Sequence, residues 1–330
     1  KKNHFAILIA ARNEETVIKN LINSLKKQNY PSNKYDVYVI VNNCTDNTLE
    51  VAKNAGAKII ECKQKVKSKG EVLKYTFNKL KSNDEIDAYV IFDADNVVHR
   101  EFLNKMNDSI NCGYEVVQGF RDTKNICDNW LSTSYAILYY LQSLFINKSR
   151  FNFGMSSFLN GTGFMVKKET IDRYGYDPKT ITEDIEYTAI CAINGIKIAF
   201  NENAITYDEQ VTDFKSSLKQ RKRWSFGAIQ CLKNYTGSLI KEGIKNKRFE
   251  CFDVIIFYFG IIFHVLFTIV SLIGIFYNVF YLNDFNSMDV VIYFIMFLIN
   301  YFIGVVFRMI VIKKCNKSIK ENIWGILLFD

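Results

Sequence analysis

The sequence predicts an α/β fold followed by transmembrane α-helices, and three observations support this prediction. Short apolar runs alternate with helix-like segments over roughly the first third of the 330-residue chain. Continuous apolar strands between helices are typical of a parallel sheet that is covered on both faces. Carboxylates directly follow the fourth apolar run, and two much longer apolar runs lie near the C-terminal end. We therefore expect a layered domain over 1–250 and a membrane region over 251–330.

Strands and helices alternate along the first part of this domain. The strands are predicted at 5–11, 35–43, 57–63 and 88–95. The helices are predicted at 14–28, 47–56 and 69–81. In the first helix, Ile18, Leu21 and Leu25 recur with helical periodicity, so one face of it is expected to pack on the sheet.

The remainder of the domain mixes strands and helices. Strands are predicted at 113–120 and, as a strand–turn–strand unit, over 158–168. Helices are predicted at 130–153 and 182–195. Thr182 suits the N-cap of the second of these helices, and acidic residues suit its first turn.

Two carboxylates one residue apart end the strand 88–95. Because side chains alternate along a strand, Asp93 and Asp95 point the same way, roughly 7 Å apart. Like charges at this range repel, and Mg²⁺ or Mn²⁺ would relieve the repulsion because these cations prefer oxygen ligands. Turn residues are the alternative, since Asp and Asn favour turns. Asn42 and Asn43 end a neighbouring strand, where parallel sheets bind ligands, and this favours the binding site.

Two further clusters could carry chemistry. Glu183 and Asp184 begin a predicted helix. They could supply a general base, or they could lie there only because the helix dipole favours carboxylates at a helix N-terminus. Gln220, Arg223 and Trp224 share one helix face. The guanidinium can clamp a diphosphate, and the indole can stack on a sugar. A basic amphipathic helix resting on lipid headgroups is the alternative, and both interpretations can hold because they use different faces.

Two apolar segments predict membrane spans. Segments 253–282 and 290–312 each exceed the roughly 20 residues needed to cross a bilayer. Lysines and arginines flank their outer ends, whereas the loop 283–289 contains no cation, so both ends are expected in the cytoplasm. The sequence thus predicts a multi-pass protein of the cell membrane with a cytoplasmic first domain. Segment 322–330 is expected to begin a further membrane or interfacial segment.

Charge and cysteine patterns exclude several classes of protein. The net charge is +8, but the basic clusters flank the apolar spans, so nucleic acid is not an expected partner. The 8 cysteines lack zinc-binding spacing and are expected to be reduced. No G-x-G-x-x-G follows the first strand, which argues against a nucleotide-dependent dehydrogenase.

Seven short motifs carry a resemblance to family 2 glycosyltransferases. They are ARNEE, NNCTDNT, KGEVL, DAD, NGTGF, TED and QRKRW, in that order over 5–230. The chain most resembles the membrane-embedded inverting branch, which includes cellulose, hyaluronan and poly-N-acetylglucosamine synthases. The resemblance implies a GT-A fold, a Rossmann-like mixed but mostly parallel sheet with helices on both faces. It also implies transfer from a nucleotide sugar, UDP-linked, to a growing polysaccharide, with Mg²⁺ or Mn²⁺ as cofactor.

The resemblance assigns a role to each matching residue. Asp184 would be the catalytic base, Asp95 would ligate the metal, and Trp224 would stack on the acceptor sugar. The donor-binding residues it implies are Ala11, Asn13, Glu14, Asn42, Lys69, Asp93, Asp95 and Arg223. The acceptor-binding residues it implies are Gly161, Thr162, Gly163, Glu183, Gln220 and Trp224.

Several departures keep other functions open. Many family members have Asp, which binds uracil, where this chain has Asn42. Neither an F-x-V-T-x-K gating motif nor an R-x-x-x-R signature for c-di-GMP occurs, which argues against a typical bacterial cellulose synthase. A single-addition transferase acting on a lipid or lipid-linked acceptor is the alternative enzyme, and a non-catalytic membrane scaffold is the alternative outside enzymes.

Overall fold

A mixed, eight-stranded sheet forms the centre of the protein in a computed structural model that describes residues 1–280 and 287–329. The strands are β1 (Phe5–Ala11), β2 (Tyr35–Val41), β3 (Lys58–Glu61), β4 (Ala88–Asp93), β5 (Val97–Val98), β6 (Val116–Thr123), β7 (Phe164–Lys167) and β8 (Ile198–Asp208). Their order across the sheet is β3-β2-β1-β4-β7-β6-β8-β5. Strand β7 runs antiparallel to both of its neighbours, whereas β3, β2, β1 and β4 are parallel. The predicted α/β fold is confirmed.

Helices cover the sheet and extend beyond it. They are α1 (Ile18–Leu25), α2 (Thr48–Asn54), α3 (Lys69–Leu80), α4 (Phe102–Asn111), α5 (Trp130–Leu141), α6 (Ser149–Asn152), α7 (Lys168–Tyr174), α8 (Glu183–Asn194), α9 (Phe214–Lys245), α10 (Phe249–Phe280), α11 (Ser287–Lys314) and α12 (Ile323–Leu327). A π-helix, Gln142–Lys148, joins α5 to α6. The predicted boundary at 250 lies beside the start of α10, and the division into two domains stays a prediction.

Alternation along β1 explains why the sheet is buried on both faces. Phe5, Ile7 and Ile9 pack into one apolar core together with side chains of α1 and α4. Ala6 and Leu8 pack into a second core on the other face, against α3 and α8. All five residues are fully buried, which is expected of a central parallel strand with helices on both sides.

The strand register brings the predicted ligand-binding residues to one edge. Ala11 lies opposite Val41, and Ala10 lies opposite Asp93, so β1, β2 and β4 end side by side. The residues that follow these ends, including Asn13 and Asn42, therefore lie along the carboxyl edge of the sheet. This is the edge at which open α/β sheets bind ligands.

Some predicted elements were wrong or missed. The first strand predicted within 158–168 does not form, and only β7 remains of that hairpin. Asn147 in the π-helix donates to and accepts from the backbone of Phe158, and these bonds hold the segment before Asn160 outside the sheet ladder. Strand β8 was missed because polar residues interrupt its apolar pattern. The interruption lies where the register between β6 and β8 shifts, after Gly119 of β6.

One helix in the described part of the chain is long and apolar enough to cross a bilayer. It is the segment Phe294–Lys314 of α11. The other predicted span, 253–282, lies in α10 as far as Phe280, and its last two residues are outside the described residues. The predicted loop 283–289 also lies mostly outside them. A second crossing therefore stays a prediction.

Candidate active site

A cavity of about 590 Å³ lies beyond the carboxyl edge of the sheet. Strands β4 and β6 contribute Asp93 and Arg121 to it, and the starts of α3 and α8 contribute Lys69 and Asp184. Other predicted site residues that line it are Gly161, Glu183, Gln220, Arg223 and Trp224. Its size is within the usual range for a small-molecule site. Five separate sequence motifs thus meet at one cavity.

Lys69 connects three of these motifs. Its Nζ donates hydrogen bonds to Asp93 Oδ1 at 2.5 Å and to the Gly161 carbonyl at 2.7 Å, and lies 3.8 Å from Glu183 Oε1. Burial alone would lower the pKa of Lys69, but Asp93 and Glu183 outweigh burial and raise it. Lys69 is therefore a fixed cation at the centre of the site.

The two acidic residues at the start of α8 are both affected by burial. Burial raises the pKa of Glu183 to about 7, with Lys69 opposing the shift and Asp184 adding to it. Burial also raises the pKa of Asp184, while its backbone hydrogen bonds, Lys69 and Arg223 oppose that shift. A carboxylate with a raised pKa is a stronger proton acceptor, so this pair could supply a general base.

Two glycines allow neighbouring elements to approach the acidic pair closely. A Cβ added at Gly70 would lie 2.9 Å from the Glu183 Cβ. A Cβ added at Gly227 on α9 would lie only 2.1 Å from the Thr182 hydroxyl. These approaches bring the start of α3 and the middle of α9 against the start of α8, and so position Lys69 and Trp224 around Asp184.

Trp224 belongs to an aromatic cluster beside the cavity. Its ring makes edge contacts with Tyr135 and Tyr139, with ring centroids 5.9 and 6.4 Å apart. Leu131 packs in the same cluster. The neighbouring Gln220 has a buried Oε1 atom without a hydrogen-bond partner among the described residues. One face of α9 therefore presents an oriented indole and an unsatisfied acceptor to the cavity.

Sequence reasoning missed Arg121, which also lines the cavity. Its guanidinium pairs with Asp208 at 2.5 Å, donates to the Asn160 carbonyl at 2.9 Å, and lies 3.6 Å from the centre of the Tyr139 ring. Burial would lower the pKa of Arg121, but Asp208 raises it overall. The predicted strand 113–120 ended one residue before Arg121, whereas β6 continues to Thr123, so no predicted element or motif included this arginine.

Asn160 was likewise not predicted as a site residue. It precedes Gly161, lines the cavity, and is 7% exposed. Neither the oxygen nor the nitrogen of its side chain has a hydrogen-bond partner among the described residues. Buried polar groups are seldom left unpaired, so this amide is available to a ligand.

Thr162 and Gly163, predicted to shape the acceptor site, lie beneath the cavity. Thr162 is fully buried; its Oγ1 accepts from the Asp93 backbone N–H at 3.0 Å and donates to Asn96. A Cβ at Gly163, where φ is +62°, would lie 2.6 Å from a Thr206 carbon. Both residues support the end of β4, and their contact with an acceptor stays a prediction.

The residues predicted to bind the nucleotide lie along the sheet edge, outside the cavity lining. Asn13 has a positive φ of 60°, and its Oδ1 accepts from the Thr45 backbone N–H at 2.8 Å. The Asn42 amide donates to the carbonyls of Cys62 and Gln64, so its nitrogen braces the backbone. Burial and Asp93 raise the pKa of Glu14.

A divalent cation fits the chemistry of Asp93 and Asp95. Burial, with the charges of Asp93 and Asp208, raises the pKa of Asp95 to about 7, and a cation would offset both effects. No cluster of three or more His, Cys, Asp or Glu side chains that could hold a metal occurs in residues 1–280 and 287–329. Proteins commonly bind Mg²⁺ through one or two carboxylates, and substrate phosphates supply further ligands. Two carboxylates, those of Asp93 and Asp95, are therefore a suitable number of protein ligands.

Comparison with known sequences identifies related proteins. A family model described as "Glycosyltransferase like family 2" matches residues 2–227. The probable glycosyltransferase YdaM of Bacillus subtilis (strain 168) is 24% identical over 283 residues, which are 78% of this chain and 64% of that protein. A beta-monoglucosyldiacylglycerol synthase of Synechocystis sp. is 24% identical over 233 residues, 69% of this chain and 48% of that protein. The chain thus spans about half to two thirds of these relatives.

The fold is also similar to that of a solved structure. A mannosyltransferase from Pyrobaculum calidifontis, in complex with GDP-Man and Mn²⁺, superposes with a TM-score of 0.56 at 15% identity. The match covers 71% of this chain and 65% of that one. At this level of identity the similarity concerns the fold alone.

Proposed function

The chain belongs to glycosyltransferase-like family 2, and from this premise we propose that its cavity transfers a sugar, with inversion, from a nucleotide sugar to an acceptor hydroxyl. One observation carries the proposal. Asp184, Arg223 and Trp224, from motifs far apart in the sequence, line the same cavity as Asp93 and Lys69. The cavity therefore holds a base, cations for a diphosphate, and an indole for a sugar.

A single displacement accounts for inversion. The acceptor oxygen forms a bond to the anomeric carbon while the bond from that carbon to the diphosphate oxygen breaks. Asp184 accepts the acceptor proton, and its raised pKa suits this role. Arg223 and Lys69 stabilise the negative charge of the leaving nucleoside diphosphate. Mg²⁺ or Mn²⁺, held by Asp95, would supply further charge neutralisation when bound.

The nucleotide is proposed to extend from the cavity along the sheet edge. Ala11, Asn13 and Glu14 follow β1, and Asn42 follows β2, so together they would form the base and ribose side. UDP is the nucleotide that the motifs imply. Because the Asn42 nitrogen is bonded to backbone carbonyls, its base contact would use another atom.

Two acceptors remain candidates. A growing polysaccharide follows from the QxxRW motif, with Gln220 and Trp224 holding the acceptor sugar. A lipid is favoured by a relative named beta-monoglucosyldiacylglycerol synthase, whose product name is that of a glycolipid. The cell membrane is the proposed location, with the catalytic domain in the cytoplasm, because α11 contains an apolar segment that ends in Lys313 and Lys314. The multi-pass arrangement stays a prediction.

A screen of nucleotide sugars, with released nucleoside diphosphate as the readout, tests the proposal. We expect at least one donor to be turned over, and Asp184→Asn to lower kcat by about 10²–10⁴-fold because the base is removed. Asp172→Asn on α7, outside the cavity, is the matched control and should retain full activity. Full transfer by Asp184→Asn, or no turnover of any nucleotide sugar with Mg²⁺ or Mn²⁺, would contradict the proposal.

A further inference from the structure

The cavity has an apolar wall that the proposed transfer chemistry does not use. Its residues come from α5, the π-helix, the first turn of α8, α10 and the chain after α12. They are Leu138, Leu141, Ile146, Ile185, Phe257 and Phe329. Leu138 is 41% exposed and Ile146 is 37% exposed. Large apolar side chains left accessible together beside a polar site indicate an apolar ligand.

The apolar wall lies beside one end of the candidate membrane span. Phe145 of the π-helix packs on Phe307 of α11, with ring centroids 4.8 Å apart, and the Lys314 ammonium lies 5.7 Å from the Phe145 ring. At the other side of the wall, the Arg308 guanidinium lies 5.2 Å from the Phe329 ring. The wall is therefore level with the last two turns of the apolar segment that ends at Lys314, at its cationic end.

We propose that the acceptor is a lipid whose headgroup hydroxyl reaches Asp184 while its hydrocarbon chain lies along the apolar wall. This inference rests on the proposed function and specifies its acceptor. Hydrocarbon gains from burial against leucine and isoleucine. The hydroxyls of a polysaccharide would instead lose hydrogen bonds to water there without finding new partners. A chain leaving the wall beside Phe307 would enter the bilayer directly.

The presence of a base in the cavity indicates a headgroup with a free hydroxyl. Glu183 and Asp184 lie where the acceptor must be deprotonated, and both line the cavity. A phosphate nucleophile is already ionised at neutral pH and would need no base. A hydroxyl needs the base and carries no charge. A glycerolipid with a free hydroxyl therefore fits better than a polyprenyl phosphate.

An acceptor panel with the full-length chain in detergent tests this inference. The probes are a long-chain diacylglycerol in mixed micelles, glycerol, a polyprenyl phosphate and a glucan oligosaccharide, each with the best donor. We expect diacylglycerol to have a kcat/KM at least about 100-fold above that of glycerol, since a single methylene group in an apolar pocket is worth about 10–200-fold. Leu138→Asn and Ile146→Asn should each raise the KM for diacylglycerol about tenfold more than the KM for the donor.

The control and the contradicting results are specific. Ile244→Asn replaces an isoleucine of α9 that is 69% exposed and outside the cavity, and it should leave both KM values unchanged. An unchanged KM for diacylglycerol in both wall variants, or preferred use of the oligosaccharide or the polyprenyl phosphate, overturns the lipid acceptor but leaves the proposed function standing. Failure of the parent protein to turn over any donor instead contradicts the proposed function itself.

Discussion

The cavity has a charged side, on which polar side chains are paired within the protein, and an open side, on which they are left unpaired. On the charged side, Lys69 and Arg121 have carboxylate and carbonyl partners within 2.5 to 2.9 Å. On the open side, formed by Asn160 and Gln220, buried side-chain atoms have no hydrogen-bond partner among the described residues. The charged side is thus organised before a ligand arrives, as electrostatic stabilisation of a leaving group requires, whereas the open side keeps hydrogen bonds available for a ligand.

The largest expected effect follows the removal of Asp95, which lies two residues after Asp93 on the charged side. We expect Asp95→Ala, or a chelator added to the parent protein, to lower transfer by about 10³-fold, because charge neutralisation by a metal is worth several kcal/mol. The variant should remain folded by circular dichroism. Asp108→Ala, which removes an exposed carboxylate of α4, should retain activity. Metal-dependent transfer at the parental rate in Asp95→Ala would show that the metal assignment is wrong.

Replacing Lys69 tests whether the charged side acts as one unit. Lys69→Met keeps the length of the side chain but removes the cation shared by Asp93, Gly161 and Glu183. We expect kcat to fall about 10²-fold, as when one preorganised donor is lost. Lys74→Met, on the same helix with an exposed partner, is the control and should be near neutral. Steady-state kinetics that do not distinguish the two variants would contradict the role of Lys69.

The pH dependence of kcat/KM reports the acidic pair between the two sides. Because burial raises the pKa of Glu183 to about 7 and also raises that of Asp184, the base is protonated in acid. The rate should therefore rise about tenfold per pH unit in acid and level off at a pH above the ordinary range of an aspartate pKa. Glu183→Gln should move this rise to lower pH, since it removes a neighbouring negative charge. A profile that is flat from about pH 5 to about pH 9 would exclude a titrating base.

Asn160 provides a test of the open side. Asn160→Ala removes a buried amide whose two polar atoms have no partner among the described residues, so the free protein should lose little stability. If the amide binds the ligand, the KM for donor or acceptor should rise about tenfold, the value of one hydrogen bond. The exposed Asn203→Ala serves as the control. Equal KM values in all three proteins would remove Asn160 from the binding site.

The smallest expected effect concerns the close approach that supports the open side. At Gly227 an added Cβ would clash with Thr182, whereas at Gly237 on the same helix it would meet open space. Gly227→Ala should therefore destabilise the protein by about 1–3 kcal/mol through overpacking. Gly237→Ala should stabilise it by about 0.5–1 kcal/mol, because alanine favours the helix. Chemical or thermal unfolding of the two variants measures both changes in stability. Equal changes in the free energy of unfolding would contradict the predicted clash at Gly227.

Much of the fold could be predicted because local patterns and tertiary contacts agree. Strand β1 has the same limits in the sequence and in the structure, since its apolar residues are all needed in the two cores. Strand β8 could not be predicted, because asparagines interrupt its apolar pattern. Helix α4 was missed although Phe102, Met106 and Ile110 recur at helical spacing. The π-helix depends on Asn147 bonding to Phe158, a contact that spacing along the chain does not reveal.

The site was predicted to the extent that its residues lie in motifs. Lys69, Asp93, Asp184 and Arg223 converge on one cavity, as the motif order implied. Arg121 could not be predicted, because its importance comes from partners on β8 and in the loop before β7. The apolar wall was equally hidden, because its side chains come from five segments that meet only in the folded chain.

A structure of the full chain with a non-transferable nucleotide-sugar analogue and Mn²⁺ is the most direct test of the proposed transfer site. We expect the diphosphate between Lys69 and Arg223, the cation on Asp95, and the anomeric carbon facing Asp184 with space for one acceptor hydroxyl between them. A sugar bound outside the cavity, or an anomeric carbon facing away from Asp184, would contradict it.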